Sequence, residues 1–66
     1  MLTITLNGAA TGVDATTLAE LVASLGLAGK RIAVERNGEI VPRSRFAADA
    51  IGDGDRVEVV IAVGGG

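Results

Sequence analysis

The chain has 66 residues, enough for one domain and too few for two. It contains no cysteine and no histidine, which rules out disulfides, thiolate nucleophiles and histidine-based catalytic or zinc sites. A net charge of −2 and a single aromatic residue argue against nucleic-acid binding, and no apolar run is long enough to cross a membrane. We therefore expect a cytoplasmic protein that is not an enzyme by itself.

The first predicted element is a β-hairpin. Residues 2–6 alternate apolar and polar side chains, which is the pattern of a half-buried strand. Asn7-Gly8 then supplies a dipeptide that tolerates positive φ, as tight hairpin turns require. Residues 9–13 are predicted to form the returning strand.

A short helix is predicted over residues 16–26. Thr17 and Glu20 have the spacing of a capping box, in which a hydroxyl and a carboxylate bond the free amides of a helix start. Gly26 stands where a residue in the left-handed conformation ends a helix. The apolar stripe, which needs a sheet to cover it, consists of Leu18, Leu21, Val22 and Leu25.

Three more strands are predicted in the second half of the chain. Residues 32–36 and 39–41 flank a second Asn-Gly turn and form another hairpin, which Pro42 ends because proline has no amide hydrogen. Phe46 and Ile51 are expected to close the open end of the core. The last strand is predicted to have an inward and an outward face. The inward residues are Val57, Val59, Ile61 and Val63, and the outward residues are Arg56, Glu58, Val60 and Ala62.

The order strand, strand, helix, strand, strand, strand predicts an α+β fold of the β-grasp type. We expect a mixed sheet of four to five strands with one helix packed on one face. The first and last strands are the longest and most apolar, and we place them side by side at the centre. Residues 1–63 are predicted to form this domain, and residues 64–66 a flexible glycine tail.

The tail is the strongest functional signal in the sequence. Gly64, Gly65 and Gly66 have no side chains and reach at most about 10 Å, so they can enter a channel too narrow for other residues. The carboxylate of Gly66 can attack the α-phosphate of ATP and become an acyl group that accepts a sulfur or nitrogen nucleophile. The alternative is a frayed terminus without function. The position of the glycine tail directly after the longest strand favours the functional interpretation.

Val60 and Ala62 form an apolar outer surface next to the tail, which we interpret as a partner-binding surface. Arg43 is a further candidate for partner binding, although a solvated loop also explains it. Asp53 and Asp55 are separated by one glycine and have no further ligand cluster beside them. A turn explains both carboxylates, and no metal site is predicted.

Three segments resemble the ThiS family of ubiquitin-like sulfur carriers. They are residues 37–43, with the sequence Asn-Gly-Glu-Ile-Val-Pro-Arg, the turn at residues 53–55, and the Gly65-Gly66 end. The resemblance covers essentially the whole chain. It implies a ubiquitin-like β-grasp fold and a role in thiamin biosynthesis.

The resemblance also implies a mechanism. An E1-like adenylating enzyme would activate the Gly66 carboxylate with ATP, and the carrier itself would bind no cofactor. A cysteine desulfurase or sulfurtransferase would supply the sulfur that leaves a Gly66 thiocarboxylate. A thiazole synthase would then receive that sulfur.

Two other kinds of function stay open at this point. One is sulfur transfer to a different product, such as molybdopterin or an amino acid, or attachment to other proteins as a ubiquitin-like modifier. The other is a passive interaction domain whose tail has no chemical role.

Overall fold

The structure is a computed structural model that describes residues 1–62. Its elements are β1 (Leu2–Leu6), β2 (Ala9–Val13), α1 (Leu18–Ser24), β3 (Ile32–Arg36), β4 (Glu39–Val41), a 3-10 helix (Arg43–Arg45) and β5 (Arg56–Ile61). The strands form one sheet in the order β2-β1-β5-β3-β4. Strands β1 and β5 are parallel and the other neighbouring pairs are antiparallel. The expected α+β fold with its first and last strands adjacent at the centre is confirmed.

Both hairpins close with a two-residue Asn-Gly turn, as predicted. Asn7 and Asn37 have φ values of 49° and 52°, and the glycines that follow them have 84° and 87°. Positive φ at both central residues defines the type I′ turn, whose twist matches that of the flanking strands. Asparagine and glycine tolerate this conformation better than other residues do, and the local sequence therefore fixes both turns.

The helix begins one residue after its predicted cap and is shorter than expected. The Thr17 hydroxyl accepts a hydrogen bond from the Glu20 N–H at 3.2 Å, while the Glu20 carboxylate bonds the N–H and hydroxyl of Thr16, each at 2.7 Å. The two bonds that Thr16 donates, from its N–H first and then from its hydroxyl, lower the pKa of the Glu20 carboxyl. At the other end Gly26 has a φ of 75° and donates to the Ala23 carbonyl. The helix therefore ends at Ser24 instead of residue 26.

The core lies between the helix and one face of the sheet, which we call the helix face. It consists of Ile4, Leu18, Leu21, Val22, Val34, Val41, Phe46, Ile51, Val57 and Val59. The prediction that Phe46 and Ile51 close the core is confirmed, since both are buried.

Two residues expected in the core lie largely outside it. Leu25 is 40% exposed because it caps the helix instead of continuing the stripe. Ile61 is 52% exposed, because the seven-residue helix does not cover the end of β5. Val63, predicted to face inward, lies outside the residues that the structure describes.

Candidate functional site

Strand β5 positions the predicted site because it lies at the centre of the sheet and leads toward the glycines. Beyond its last residue, the Ala62 N–H donates to the Arg31 carbonyl at 2.9 Å, which continues the pairing with the β3 side. The predicted tail residues Gly64, Gly65 and Gly66 lie outside residues 1–62. Their proposed chemistry is therefore a prediction, and the surface that leads to them is what the structure describes.

An apolar surface lies on the face of the sheet opposite the helix, which we call the open face. Val60 is 60% exposed there, as the alternation of β5 predicted. Ala33 lies directly opposite Val60 on β3 and is also exposed, and Ala62 is exposed just past the end of β5. We call Ala33, Val60 and Ala62 the open-face patch.

Sequence reasoning missed Ala33 and a larger apolar neighbour, Ile40. Ile40 on β4 is 73% exposed and lies opposite Glu35, the next open-face residue after Ala33 on β3. The signal was present in the sequence, because Val34 and Val41 face the core and their neighbours must face away. What the sequence did not provide was the register that brings β3 beside β5.

Charged side chains border the open-face patch on one side. Glu35 and Glu58 lie directly opposite each other on β3 and β5, and Arg56 precedes Glu58 on the same face. Like charges in directly opposite positions of a sheet are unfavourable. Together with Gly38 these side chains line a shallow depression beside the patch.

Arg43, the third predicted partner-binding residue, is not beside the patch. Its guanidinium donates to the Lys30 carbonyl and lies 5.9 Å from the centre of the Phe46 ring. It borders an apolar groove together with Ala19 and Val22, so it lies on the helix side of the sheet. The reason is that the chain turns after Pro42 toward the helix, where the carbonyls of Phe46 and Asp49 accept hydrogen bonds from the first turn of α1. A role in partner binding for Arg43 is still a prediction, but on a different face.

The carboxylates of the 53–55 turn bind protein groups. Asp53 accepts from the Thr3 N–H at 2.7 Å. Asp55 accepts from the Gly52 N–H at 2.7 Å, from Arg36 Nε at 2.9 Å and from Asn37 Nδ2 at 3.2 Å. Burial alone raises the pKa of Asp55, but these hydrogen bonds outweigh it and lower the pKa. Asp55 thus has a structural role, tying β3 and its turn to the start of β5.

Within residues 1–62, no group of three or more acidic, histidine or cysteine side chains is arranged to hold a metal ion. The same part of the chain has no helix long and apolar enough to span a membrane.

The five-stranded mixed sheet with one helix on one face is that of a ubiquitin-like β-grasp domain. A crystal structure of the thiamine biosynthesis protein ThiS from Geobacter metallireducens superimposes with a TM-score of 0.83 at 36% identity, covering 98% of this chain and 100% of that one. The ThiS family model matches residues 4–66. The chain belongs to the ThiS family.

Curated relatives are of two kinds. The sulfur carrier protein ThiS of Bacillus subtilis is 42% identical over 53 residues, which cover 80% of each chain. The thiazole synthases of Paramagnetospirillum magneticum and Magnetococcus marinus are each 42% identical over 64 residues, which cover 96% of this chain. The chain spans only 20% of the length of those two synthases.

Proposed function

We propose that this protein is a sulfur carrier of thiamin biosynthesis that works through the carboxylate of Gly66. A partner enzyme joins this carboxylate to the α-phosphate of ATP and releases pyrophosphate. A sulfide-level nucleophile then attacks the acyl carbon, AMP leaves with one carboxylate oxygen, and a thiocarboxylate results. The protein acts as carrier and co-substrate, and the catalytic groups belong to its partners.

The observation that supports this proposal most strongly is family membership over residues 4–66, a range that includes the glycines. The composition agrees with it, because a chain without cysteine or histidine has no side chain suited to nucleophilic or general-base catalysis near neutral pH. Such a protein must obtain both activation and sulfur from other proteins.

Three partners follow from this chemistry. An E1-like enzyme performs the adenylation with ATP, and a cysteine desulfurase or sulfurtransferase provides the sulfur. The acceptor is a thiazole synthase, which the two long relatives support because each carries a region like this chain within a protein of that name.

The open-face patch is the surface on which we place the adenylating enzyme. A partner that covers Val60 and Ala62 buries apolar area and fixes the direction in which the chain leaves β5. The adjacent charges Arg56, Glu58 and Glu35 then contribute mainly to orientation and encounter rate.

The chemistry is tested by mass spectrometry of the protein after coexpression with its host's adenylating enzyme. A sulfur-for-oxygen mass gain at Gly66 supports the carrier, whereas conjugates to lysine would indicate a protein modifier and an unchanged mass a passive domain.

Gly65→Val provides the comparison. Its β-branched side chain stiffens the tail and widens it beyond what a channel fitted to glycine admits, and we expect a folded protein that is not activated.

The docking surface is tested separately with Val60→Asp. We expect the affinity for the adenylating enzyme to fall by at least about tenfold, the size of a central interface contact, with the fold retained. Ala10→Asp is the matched control, because it adds the same charge on the open face two strands away from β5. Calorimetric titration that finds equal affinities for both variants would exclude the patch as the docking surface.

A further inference from the structure

The two outer edges of the sheet differ in what they offer to another strand. Alternate residues of an edge strand direct their N–H and C=O groups away from the sheet. In β2 the hydrogen-bonded partners of β1 are Ala9, Thr11 and Val13, because Ala9 closes a two-residue turn. The outward groups of β2 therefore belong to Ala10 and Gly12.

The edge formed by β4 is poorly suited to pairing. Its three residues place only Ile40 outward, because Glu39 and Val41 bond to β3. Pro42 follows immediately and has no N–H to donate. Glu39 and Arg43 put charges at both ends of this short strand, which is how proteins commonly protect a sheet edge.

The edge formed by β2 has none of these protections. Its five residues contain no charge and no proline, and its two outward residues have the smallest side chains. Outside the β1–β2 ladder, the backbone groups of Ala10 and Gly12 have no hydrogen-bond partner among residues 1–62. An uncharged edge of this length is a template for an added strand.

We infer that β2 is a self-association surface, where a second copy of this chain pairs antiparallel with it about a two-fold axis through Thr11. In that register each Ala10 faces the other copy's Gly12, and the two Thr11 residues face each other. Ala10 and Gly12 exchange N–H and C=O bonds on both sides of the axis, giving four hydrogen bonds. The register uses every outward group of both strands, which is why a second copy fits better than an arbitrary peptide.

The surroundings of β2 favour the same occupant. Asp14, the nearest acidic residue after the strand, comes opposite Gly8 of the other copy, so like charges do not meet. Met1 is 91% exposed and lies over Gly12, with its Sδ 2.8 Å from the point where a Cβ would stand. Because Gly12 faces Ala10 across the axis, each Met1 extends over the seam and gains an apolar contact there.

This dimer is weak and reversible, since pairing one short strand buries well under the ~1,200 Å² of a stable interface. It also leaves the open-face patch accessible. Strand β5 lies two strands away from β2, so the two copies of β5 are about 24 Å apart in the shared sheet. They run in opposite directions, and the two chains continue beyond Ile61 at opposite ends of the dimer.

The test is sedimentation equilibrium together with NMR over a range of protein concentrations. We expect concentration-dependent association of the parent, with amide shifts concentrated at Ala10 and Gly12. Ala10→Pro removes two of the four hydrogen bonds and leaves the β1 ladder intact, so the association constant should fall about tenfold or more. Ile40→Pro is the matched control, because it removes the same kind of outward N–H on the other edge and should leave association unchanged.

Circular dichroism checks that each proline variant folds. If Ala10→Pro does not fold, Ala10→Lys and Ile40→Lys repeat the comparison with a charge at each edge. A parent that stays monomeric at millimolar concentration overturns the inference. So does association that Ile40→Pro weakens and Ala10→Pro does not, because that result places the contact on β4.

Discussion

The two hairpins of this protein are built alike but hold the central strand differently. Both contribute the side chain of a turn asparagine to β5, with Asn7 accepting from the Val59 N–H at 2.8 Å and Asn37 from the Arg56 N–H at 2.9 Å. However, β3 pairs with five residues of β5, whereas β1 pairs with two.

The difference shows that β5 is anchored on both sides at its start and on one side at its end. The β1 hairpin bonds to residues within the segment 53–59 and then turns away at Asn7. Within the described residues 1–62, Val60 and Ile61 pair only with β3, through Ala33 and Ile32. The part of β5 closest to the predicted tail thus has an unpaired side, where a partner can approach without displacing another strand.

The largest expected effect comes from the most deeply buried residue of each hairpin. Ile4 from β1 is 1% exposed and Val34 from β3 is fully buried. Ile4→Ala should reduce the free energy of unfolding by about 2–5 kcal/mol, and Val34→Ala by less because one carbon atom fewer is removed. Urea denaturation measures both. If Ile4→Ala unfolds at the same urea concentration as the parent, the assigned face of β1 is wrong. A larger loss of unfolding free energy for Val34→Ala would make the second hairpin the main source of stability.

A smaller difference should separate the two acidic residues that tie the hairpins to the 53–55 turn. Asp55→Asn removes the charge and one of the two acceptor oxygens that bond Arg36, Asn37 and the Gly52 N–H, and it should cost about 1.5–3 kcal/mol, the usual range for hydrogen bonds to a charged group. Asp53→Asn affects a single exposed bond to Thr3 and should cost less than half as much. Equal losses would mean that both hairpins depend equally on the turn.

Asp55 also predicts a pH dependence of stability. The pKa of Asp55 is lowered from its usual value of 3.8, so the stability it contributes is complete above pH 3.8 and is lost as the pH falls through its lower value in the folded protein. Asp55→Asn should therefore flatten the plot of unfolding free energy against pH in this acidic range. Denaturation series at successive acidic pH values check this, and an unchanged slope would show that other carboxylates cause the acid sensitivity.

The smallest effect is expected at the turns themselves. Asn7→Gly and Asn37→Gly keep the positive φ but remove the bond to β5, and each should cost about 0.5–1.5 kcal/mol. Asn37→Gly should cost more, because Asn37 also donates to Asp55 at 3.2 Å. Amide exchange offers the control, since Asn7→Gly should accelerate exchange at Val59 and leave Arg56 unaffected. Acceleration at both amides would mean that the two turns act as one unit.

The elements could be predicted because their signals are local. Asn-Gly turns, the Thr17 cap and the left-handed Gly26 each act within a few residues, and all are found in the structure. The exposure of Ile61 was missed because it depends on how far the helix layer covers the sheet.

The candidate site was only partly predictable for a similar reason. Val60 follows from the alternation along β5, but placing Ala33 beside it requires the pairing of strands distant in sequence. The position of Arg43 depends on the path of the chain after Pro42, where no periodic pattern exists. Long-range register and irregular segments are therefore what the sequence could not provide.

The parallel pairing of β1 with β5 also affects how the protein is made. Thr3 and Asp53, which hydrogen-bond across this pair, are 50 positions apart, and Asn7 and Val59 are 52 apart. Closing so long a loop slows folding relative to a protein of local contacts. During synthesis the centre of the sheet stays open until β5 has left the ribosome, and Ile4, Leu21 and Val34 remain without their final cover. The nascent chain is therefore most vulnerable to aggregation and proteolysis just before its last strand emerges.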